Sequence, residues 1–224
     1  MKMSAFFMDQ GSTVLVQEYR NGSKEIEKTS GAKQYNFENI VMLVNENSAS
    51  CTEVFAAAMR INEGTKIVGT TTYGKGTVQV AVTFADGSAL KYTDAQWLTP
   101  NNESIDGKGV TPDYEVKLDP ALYESLLDLS EEENYSYDSV STKVAIAQKY
   151  LKFLGYSVDR TDGYFSKDTQ SALTNFQTDH QLTVNGQLNM ETGNEMNSAL
   201  LRVWDDNRNT YDTQLQKALE LINE

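Results

Sequence analysis

The sequence predicts an α+β protein: a mixed β-sheet with flanking helices, followed by a small three-helix unit. Three observations lead there. Short apolar or alternating runs bounded by Gly, Asn and Asp dominate residues 1 to about 118. From Thr142 onward, apolar residues recur at helical spacing instead. Between the two lies an acidic, Ser/Tyr-rich stretch with no apolar period, the pattern of a linker. The expected organisation is a first unit at 1–118, a linker at 119–141, a helical unit at 142–201 and a helical tail at 202–224.

Each element has its own signal. STVLVQEY (Ser12 to Tyr19) and SKEIEK (Ser23 to Lys28) flank Arg20-Asn21-Gly22, and Asn-Gly favours a tight hairpin turn. NIVMLVN (Asn39 to Asn45) is a continuous apolar run between polar residues, as in a buried strand. CTEVFAAAMRINEG carries apolar residues at helical spacing and stops at Gly64, a C-cap candidate. KIVGTT, VQVAVTF and SALKYTDAQWL read as strands, the last two joined through Asp86-Gly87. In the second unit, TKVAIAQKYLKFLGY forms one helix, a second starts at Ser166 or Asp168, and a third near Met190. DTQLQKALELINE closes the chain as a further amphipathic helix.

Composition removes several function classes. A net charge of −13 argues against nucleic acid or an anionic membrane surface as partner, and reads most simply as solubility. One His and one Cys leave no material for a histidine-dependent triad, a multi-Cys metal site or an internal disulfide. No apolar run approaches the roughly 20 residues that cross a bilayer. MKMSAFFMDQG is too short and polar for a signal peptide, so the chain as given would stay where it is made, unless it is a fragment of something longer.

Two short segments carry chemistry. Ser50 follows a buried strand at the point where a helix begins, and a helix N-terminus offers unpaired N–H groups to a developing oxyanion. The Cys51 N–H is the natural donor next to Ser50. A second reading makes Ser48 or Ser50 a simple N-cap, and on the pattern alone that reading is the stronger. Lys75 stands between Gly74 and Gly76, which permit close backbone approach. To act as a base it must lose its proton near neutral pH, well below about 10.4, as burial without a carboxylate partner would arrange. The other reading is an exposed turn lysine.

Taken together, Val44-Asn45-Glu46-Asn47-Ser48-Ala49-Ser50-Cys51-Thr52-Glu53 and Tyr73-Gly74-Lys75-Gly76-Thr77-Val78-Gln79 strongly resemble the nucleophile and base motifs of the carboxyl-terminal processing peptidases. Lys75 lies 25 residues after Ser50 and Gln79 four after Lys75, as in that family. Asp86 to Lys91, Leu98 to Pro100 and Gly107 to Asp113 follow its pattern too, so the likeness covers roughly residues 1–118. The resemblance implies a protease core fragment and a serine endopeptidase that cleaves proteins near their C-terminal tails. Ser50 would be the nucleophile, Lys75 the general base and Gln79 its orienting partner, with the Cys51 N–H in the oxyanion hole. Cys51 itself, where the family has a small residue, is read as packing. A Ser-Lys mechanism needs no cofactor and no metal. The family's PDZ domain and its upstream Asp-Leu-Arg-x-Asn-x-Gly-Gly stretch, source of a second oxyanion donor, have no counterpart here. Losing one such donor typically slows a reaction by a factor of about 10² to 10³. A catalytically silent remnant that binds peptidoglycan or a partner is therefore the alternative. An incomplete sheet would also leave an edge through which a homodimer could pair.

The segment from about Val144 to Leu200 resembles the peptidoglycan-binding domain appended to bacterial cell-wall enzymes. The matching residues are Ala147 to Leu151, Leu154-Gly155-Tyr156, Asp162-Gly163-Tyr164-Phe165, Phe176-Gln177, Val184-Asn185-Gly186 and Met190-Glu191-Thr192. The resemblance implies a three-helix bundle with Leu151, Leu154, Phe165, Leu173, Phe176 and Leu188 in its core. Its ligand surface would include Tyr156, Asp162, Tyr164 and Gln177. His180 reads as a capping or surface residue, since one histidine cannot hold a metal alone. Both resemblances place the parent protein on the extracytoplasmic face of a bacterial membrane or in the cell wall, with protein tails and peptidoglycan as partners.

Overall fold

Parallel strands need a crossover, and one helix supplies it for the centre of the first unit. The chain enters through a short helix α1 (Ser4–Phe7) and a hairpin of β1 (Thr13–Tyr19) and β2 (Lys24–Lys28). It continues into β3 (Val41–Val44), helix α2 (Cys51–Glu63) and β4 (Lys66–Gly69), with β3 and β4 parallel from Val41↔Lys66 to Val44↔Gly69. Then come the antiparallel pair β5 (Thr77–Thr83) and β6 (Ala89–Leu98), and the short β7 (Tyr114–Glu115) parallel to β4. The mixed pairing expected from the sequence is divided between two sheets: β2-β1-β6-β5, all antiparallel, and β3-β4-β7, all parallel.

A computed structural model describes residues 3–224, in two compact units. One reaches to Lys117 and includes Thr213–Glu224; the other is Leu118–Asp212. In the first, α2 turns Ala56, Ala57, Ala58 and Met59 inward, and its small side chains let the helix sit close against Leu15, Val44, Ile67 and Trp97. The helix ends at Gly64, whose φ of 66° suits a left-handed cap and whose N–H donates to the Arg60 carbonyl.

The second unit contains a 3-10 turn (Pro120–Tyr123) and helices α3 (Thr142–Phe153), α4 (Lys167–Asp179), α5 (Met190–Asp206) and α6 (Arg208–Tyr211). Ser141, Ser166 and Asn189 cap the three long helices through their side-chain oxygens. Leu151, Phe165, Leu173, Phe176 and Leu188 are buried in one core, with Leu154 partly buried against it. The acidic stretch before α3 packs on this core. Leu127 and Leu129, alternate residues that face one side of an extended chain, are buried there, and the Asn197 side chain bonds both the N–H and the C=O of Leu127 at 2.8 Å.

The segment 202–224, read as one tail, divides at Asp212. Its last helix, α7 (Thr213–Ile222), packs on β3 and β4 of the first unit. There Gln214 Nε2 donates to the Val116 carbonyl at 2.8 Å and Asn39 Nδ2 to that of Ile222 at 3.2 Å. Among the described residues, no helix is long and apolar enough to cross a membrane.

Candidate active site

After β3 the chain folds back through Asn45–Ser50, tied by the Ser48 N–H to the Asn45 carbonyl at 2.9 Å and the Asn45 N–H to Ser48 Oγ at 3.1 Å. Ser50 sits at the N-cap of α2 with φ 56° and ψ −115°. A residue that serves only as an N-cap adopts the β region. A non-glycine residue at such angles costs roughly 1–3 kcal/mol and persists only where its surroundings impose it.

Glu53, one turn into α2 and fully buried, imposes it. Its Oε2 accepts the Ser50 N–H at 2.8 Å and the Lys75 N–H at 2.9 Å. Its Oε1 accepts the Gly74 N–H at 2.6 Å and the Thr72 hydroxyl at 2.5 Å. One carboxylate thus holds the serine turn and the lysine loop together. Further bonds join the same segments: the Tyr73 N–H to the Ser48 carbonyl at 3.0 Å, the Thr70 N–H to that of Val44 at 3.1 Å, and the Thr70 hydroxyl to Glu46 Oε2 at 2.7 Å. Gly69, which precedes them, has no room for a side chain, because a Cβ would lie 1.8 Å from the Val44 oxygen.

The loop Ser104–Val110 supports the lysine from the other side. The Gly107 N–H donates to the Gly74 carbonyl at 2.9 Å, the Gly76 N–H to Asp106 Oδ1 at 3.0 Å, and the Val110 N–H to Thr72 Oγ1 at 2.7 Å. Trp97 Nε1 donates to the Lys75 carbonyl at 2.8 Å. The glycines beside Lys75 follow from this contact: a Cβ on Gly74 would meet the Gly109 nitrogen at 2.8 Å, and one on Gly76 the Asp106 Cβ at 2.6 Å.

Lys75 is half-buried, and among the described residues no carboxylate lies within ion-pair distance of its ammonium; Glu53 binds its amide instead. The Cys51 amide lies in the first turn of α2, where no intrahelical acceptor exists, and its thiol is exposed. Gln79 lies on β5 with an exposed side chain that makes no hydrogen bond among the described residues. The structure therefore joins the Ser50 and Lys75 segments directly and leaves the Gln79 side chain outside that network.

In the second unit the four expected ligand residues do not converge on one point. The Tyr156 hydroxyl donates to Asp179 at 3.0 Å, and burial with that bond pushes its pKa up to about 12. Asp162 accepts from Arg160 Nε at 2.7 Å and from the Tyr164 N–H, which hold its carboxyl down at about 2. The Tyr164 hydroxyl donates to Asp138 at 3.1 Å, while the Arg160 guanidinium lies 4.8 Å over its ring. Gln177 faces inward rather than outward. It is fully buried, with Nε2 donating to Asn185 Oδ1, the Gln187 carbonyl and Thr192 Oγ1, and Oε1 accepting the Asn185 and Gly186 N–H groups. His180 caps α4, stacks on Phe176 and bonds Glu195 at 2.8 Å. Among the described residues, no group of three or more His, Cys, Asp or Glu is arranged to hold a metal ion.

Residues 1–116, more than half of the 224, match a family model described as peptidase family S41. The chain belongs to that family. A second model, described as "Putative peptidoglycan binding domain", matches residues 140–196 of this S41 chain. The chain is 37% identical over 220 residues to the carboxy-terminal processing protease CtpA of Bacillus subtilis, covering 98% of this chain and 46% of that protein. It is 36% identical over 223 residues to a "Probable CtpA-like serine protease" of Staphylococcus epidermidis, covering 99% and 44%. It thus spans less than half the length of these relatives. Among solved structures it is similar to the photosystem II D1 C-terminal processing protease, at 30% identity and a TM-score of 0.48 over 51% of this chain and 30% of that one.

In the sequence of this S41 chain, Glu53 reads as a helix-start residue that could also tune the site, and Thr72, Trp97 and Asp106 carry no signal of their own. The Ser50-x-x-Glu53 spacing is that of a capping box, which was the available signal for Glu53. That carboxylate does reach back to the N-cap amide, and the same oxygen also takes the Lys75 amide. For Thr72, Trp97 and Asp106 there was no local signal, because their partners lie 19 or more residues away in the chain.

Proposed function

We propose that this chain carries the nucleophile and base of a carboxyl-terminal processing serine endopeptidase, joined to a unit that binds peptidoglycan. Ser50 Oγ attacks the carbonyl carbon of a scissile peptide bond while the Lys75 side chain takes its proton as general base. The oxyanion of the tetrahedral intermediate rests on the Cys51 N–H at the start of α2. Lys75 then gives the proton to the departing amine, and water repeats the sequence on the acyl-enzyme. Gln79, uncharged and four residues on, is given the role of orienting Lys75 on the family spacing alone, since its side chain is exposed and unbonded among the described residues. The substrates are protein or peptide C-terminal tails, and the site of action is the extracytoplasmic side of a bacterial envelope.

The observation that carries this reading is the buried Glu53 carboxylate shared by the Ser50 and Lys75 amides, around a serine held at φ 56°. An N-cap serine and a turn lysine would need neither. Labelling with a fluorophosphonate between pH 6 and 10 tests it. The wild-type chain should label, Ser50→Ala should not, Lys75→Ala should label far more slowly, and Cys51→Ser should still label. A folded wild-type chain that stays unlabelled would overturn the catalytic reading in favour of a silent binding module.

A further inference from the structure

We propose that the exposed face built from Tyr137, Asp138, Tyr164 and Lys167 is where the second unit takes a glycan strand bearing acidic stem peptides. The proposal rests on the peptidoglycan-binding reading of that unit and gives it a location. Residues 138–141 lie antiparallel to 163–165, through the Asp138 N–H to the Phe165 carbonyl at 3.0 Å, the Phe165 N–H to that of Ser139 at 2.8 Å, and the Ser141 N–H to that of Gly163 at 3.0 Å. This pairing carries Tyr137 to the start of α4, with Lys167 Nζ 5.8 Å from its ring centroid.

Two rings share this face, each with a cation beside it, and they differ in whether that cation is already paired. Tyr164 is engaged: its hydroxyl donates to Asp138, and its ring lies under an Arg160 that is itself paired with Asp162. Tyr137 is 46% exposed, and Lys167 has no carboxylate within ion-pair distance among the described residues. In a chain of net charge −13, a lysine that forms no ion pair among the described residues, beside an exposed ring, is spare capacity for an anionic ligand.

The chemistry fits an acidic carbohydrate. The C–H face of a pyranose packs on an aromatic ring. Hydroxyl and acetamido N–H groups donate to a carboxylate such as Asp138. Stem-peptide carboxylates pair with a lysine ammonium. Tyr137 and Asp138 also lie before residue 140, where the domain match begins, so half of this face comes from the preceding segment.

Co-sedimentation of the purified chain with purified peptidoglycan sacculi tests the assignment, with binding to soluble N-acetylglucosamine oligomers measured beside it. Tyr137→Ala should weaken sacculus binding about tenfold or more, the loss expected for an aromatic anchor. Lys167→Ala should weaken binding to sacculi but not to oligomers that lack stem peptides. Lys152→Ala, at an exposed lysine on α3, should bind as wild type. Wild-type binding unchanged by both Tyr137→Ala and Lys167→Ala would refute this face while leaving the peptidoglycan reading intact. A wild-type chain that fails to sediment would remove that reading, and this proposal with it. Both side chains reach solvent, so unchanged melting of the variants excludes unfolding as the cause of a loss.

Discussion

Glu53→Gln is the most informative single change. Gln keeps the size of the side chain and one acceptor oxygen but turns the other into an N–H₂ donor. Glu53 meets four donors, so two of them must face that donor in either orientation. With the N–H₂ toward Thr72 and Gly74, the Thr72 oxygen, which already takes the Val110 N–H, can accept the new N–H₂ on its other lone pair, while its own O–H and the Gly74 N–H lose their acceptor. With the N–H₂ toward Ser50 and Lys75, two backbone amides are orphaned and no bond is gained. The first orientation is the cheaper, at about 1–3 kcal/mol. That corresponds to a fall of about 2–12 °C in the melting temperature of a chain this size. Differential scanning calorimetry should place the fall in the transition of the first unit and leave that of the second unchanged. Fluorophosphonate labelling of Ser50 should fall at least about tenfold, because a strained serine loses part of what holds it. Glu38→Gln, at an exposed residue of the first unit, controls for the loss of one negative charge and should shift stability by less than about 0.5 kcal/mol. A Glu53→Gln chain that melts with wild type and labels at the wild-type rate would refute Glu53 as the link between the two segments.

Other changes test the surrounding structure. Gly76→Ala places a methyl group 2.6 Å from the Asp106 Cβ and 2.8 Å from its backbone, so the lysine loop must move; labelling should be lost while the second unit keeps its own melting transition. Gln177→Leu strips partners from the Asn185 and Gly186 amides at a buried position, and chemical denaturation of the second unit should show a loss of at least about 2 kcal/mol. Glu133 has its pKa lowered from 4.5 to about 2, first by the bond from Lys143 and then by the Ser130 amide. A depressed carboxyl stabilises the fold above its unfolded pKa and ceases to do so as pH falls through its folded one. Wild type should therefore melt above Glu133→Gln at pH 7, and the gap should close between about pH 4.5 and 2.

What was legible in this chain was what is local. The strands around Asn21-Gly22, the helix stop at Gly64 and the capped helices of the second unit all announce themselves within a few residues. Ser50 and Lys75 could be named because their motifs are short. Their joint dependence on Glu53 was not readable, because it runs through a carboxylate that one segment contributes and the other meets 21 and 22 residues later. The division of strands into two sheets was equally hidden. β1 pairs with β6 rather than with its nearer neighbours in sequence beyond β2, and no periodicity encodes which of several apolar strands lie side by side. The acidic stretch misled for another reason: its net charge masked Leu127 and Leu129, two apolar residues that dock it on the helices.

Gln177 shows how a polar residue can be misplaced by its chemistry. A glutamine in a helix beside a ligand-binding motif suggests a surface role, yet a buried amide is the better device for holding a turn. It offers an acceptor and two donors from one planar group, so it can bind amides and carbonyls at once without burying a charge. Gln148 repeats the arrangement one helix earlier: it is fully buried, its Oε1 accepts the Gly163 N–H at 3.0 Å, and its Nε2 donates to the Tyr164 carbonyl and Thr169 Oγ1. Each glutamine therefore secures the glycine turn that follows its own helix and the threonine in the first turn of the next. In both cases that threonine is the residue whose amide is capped, by Ser166 or by Asn189. The turns Asp162-Gly163 and Asn185-Gly186 differ in their first residue because the glutamine grips the amide at the glycine, and either Asp or Asn can precede it. The glutamine chemistry of both turns is thus interior, which leaves solvent-facing side chains at the rim, such as Tyr137 and Lys167, for the contacts proposed above.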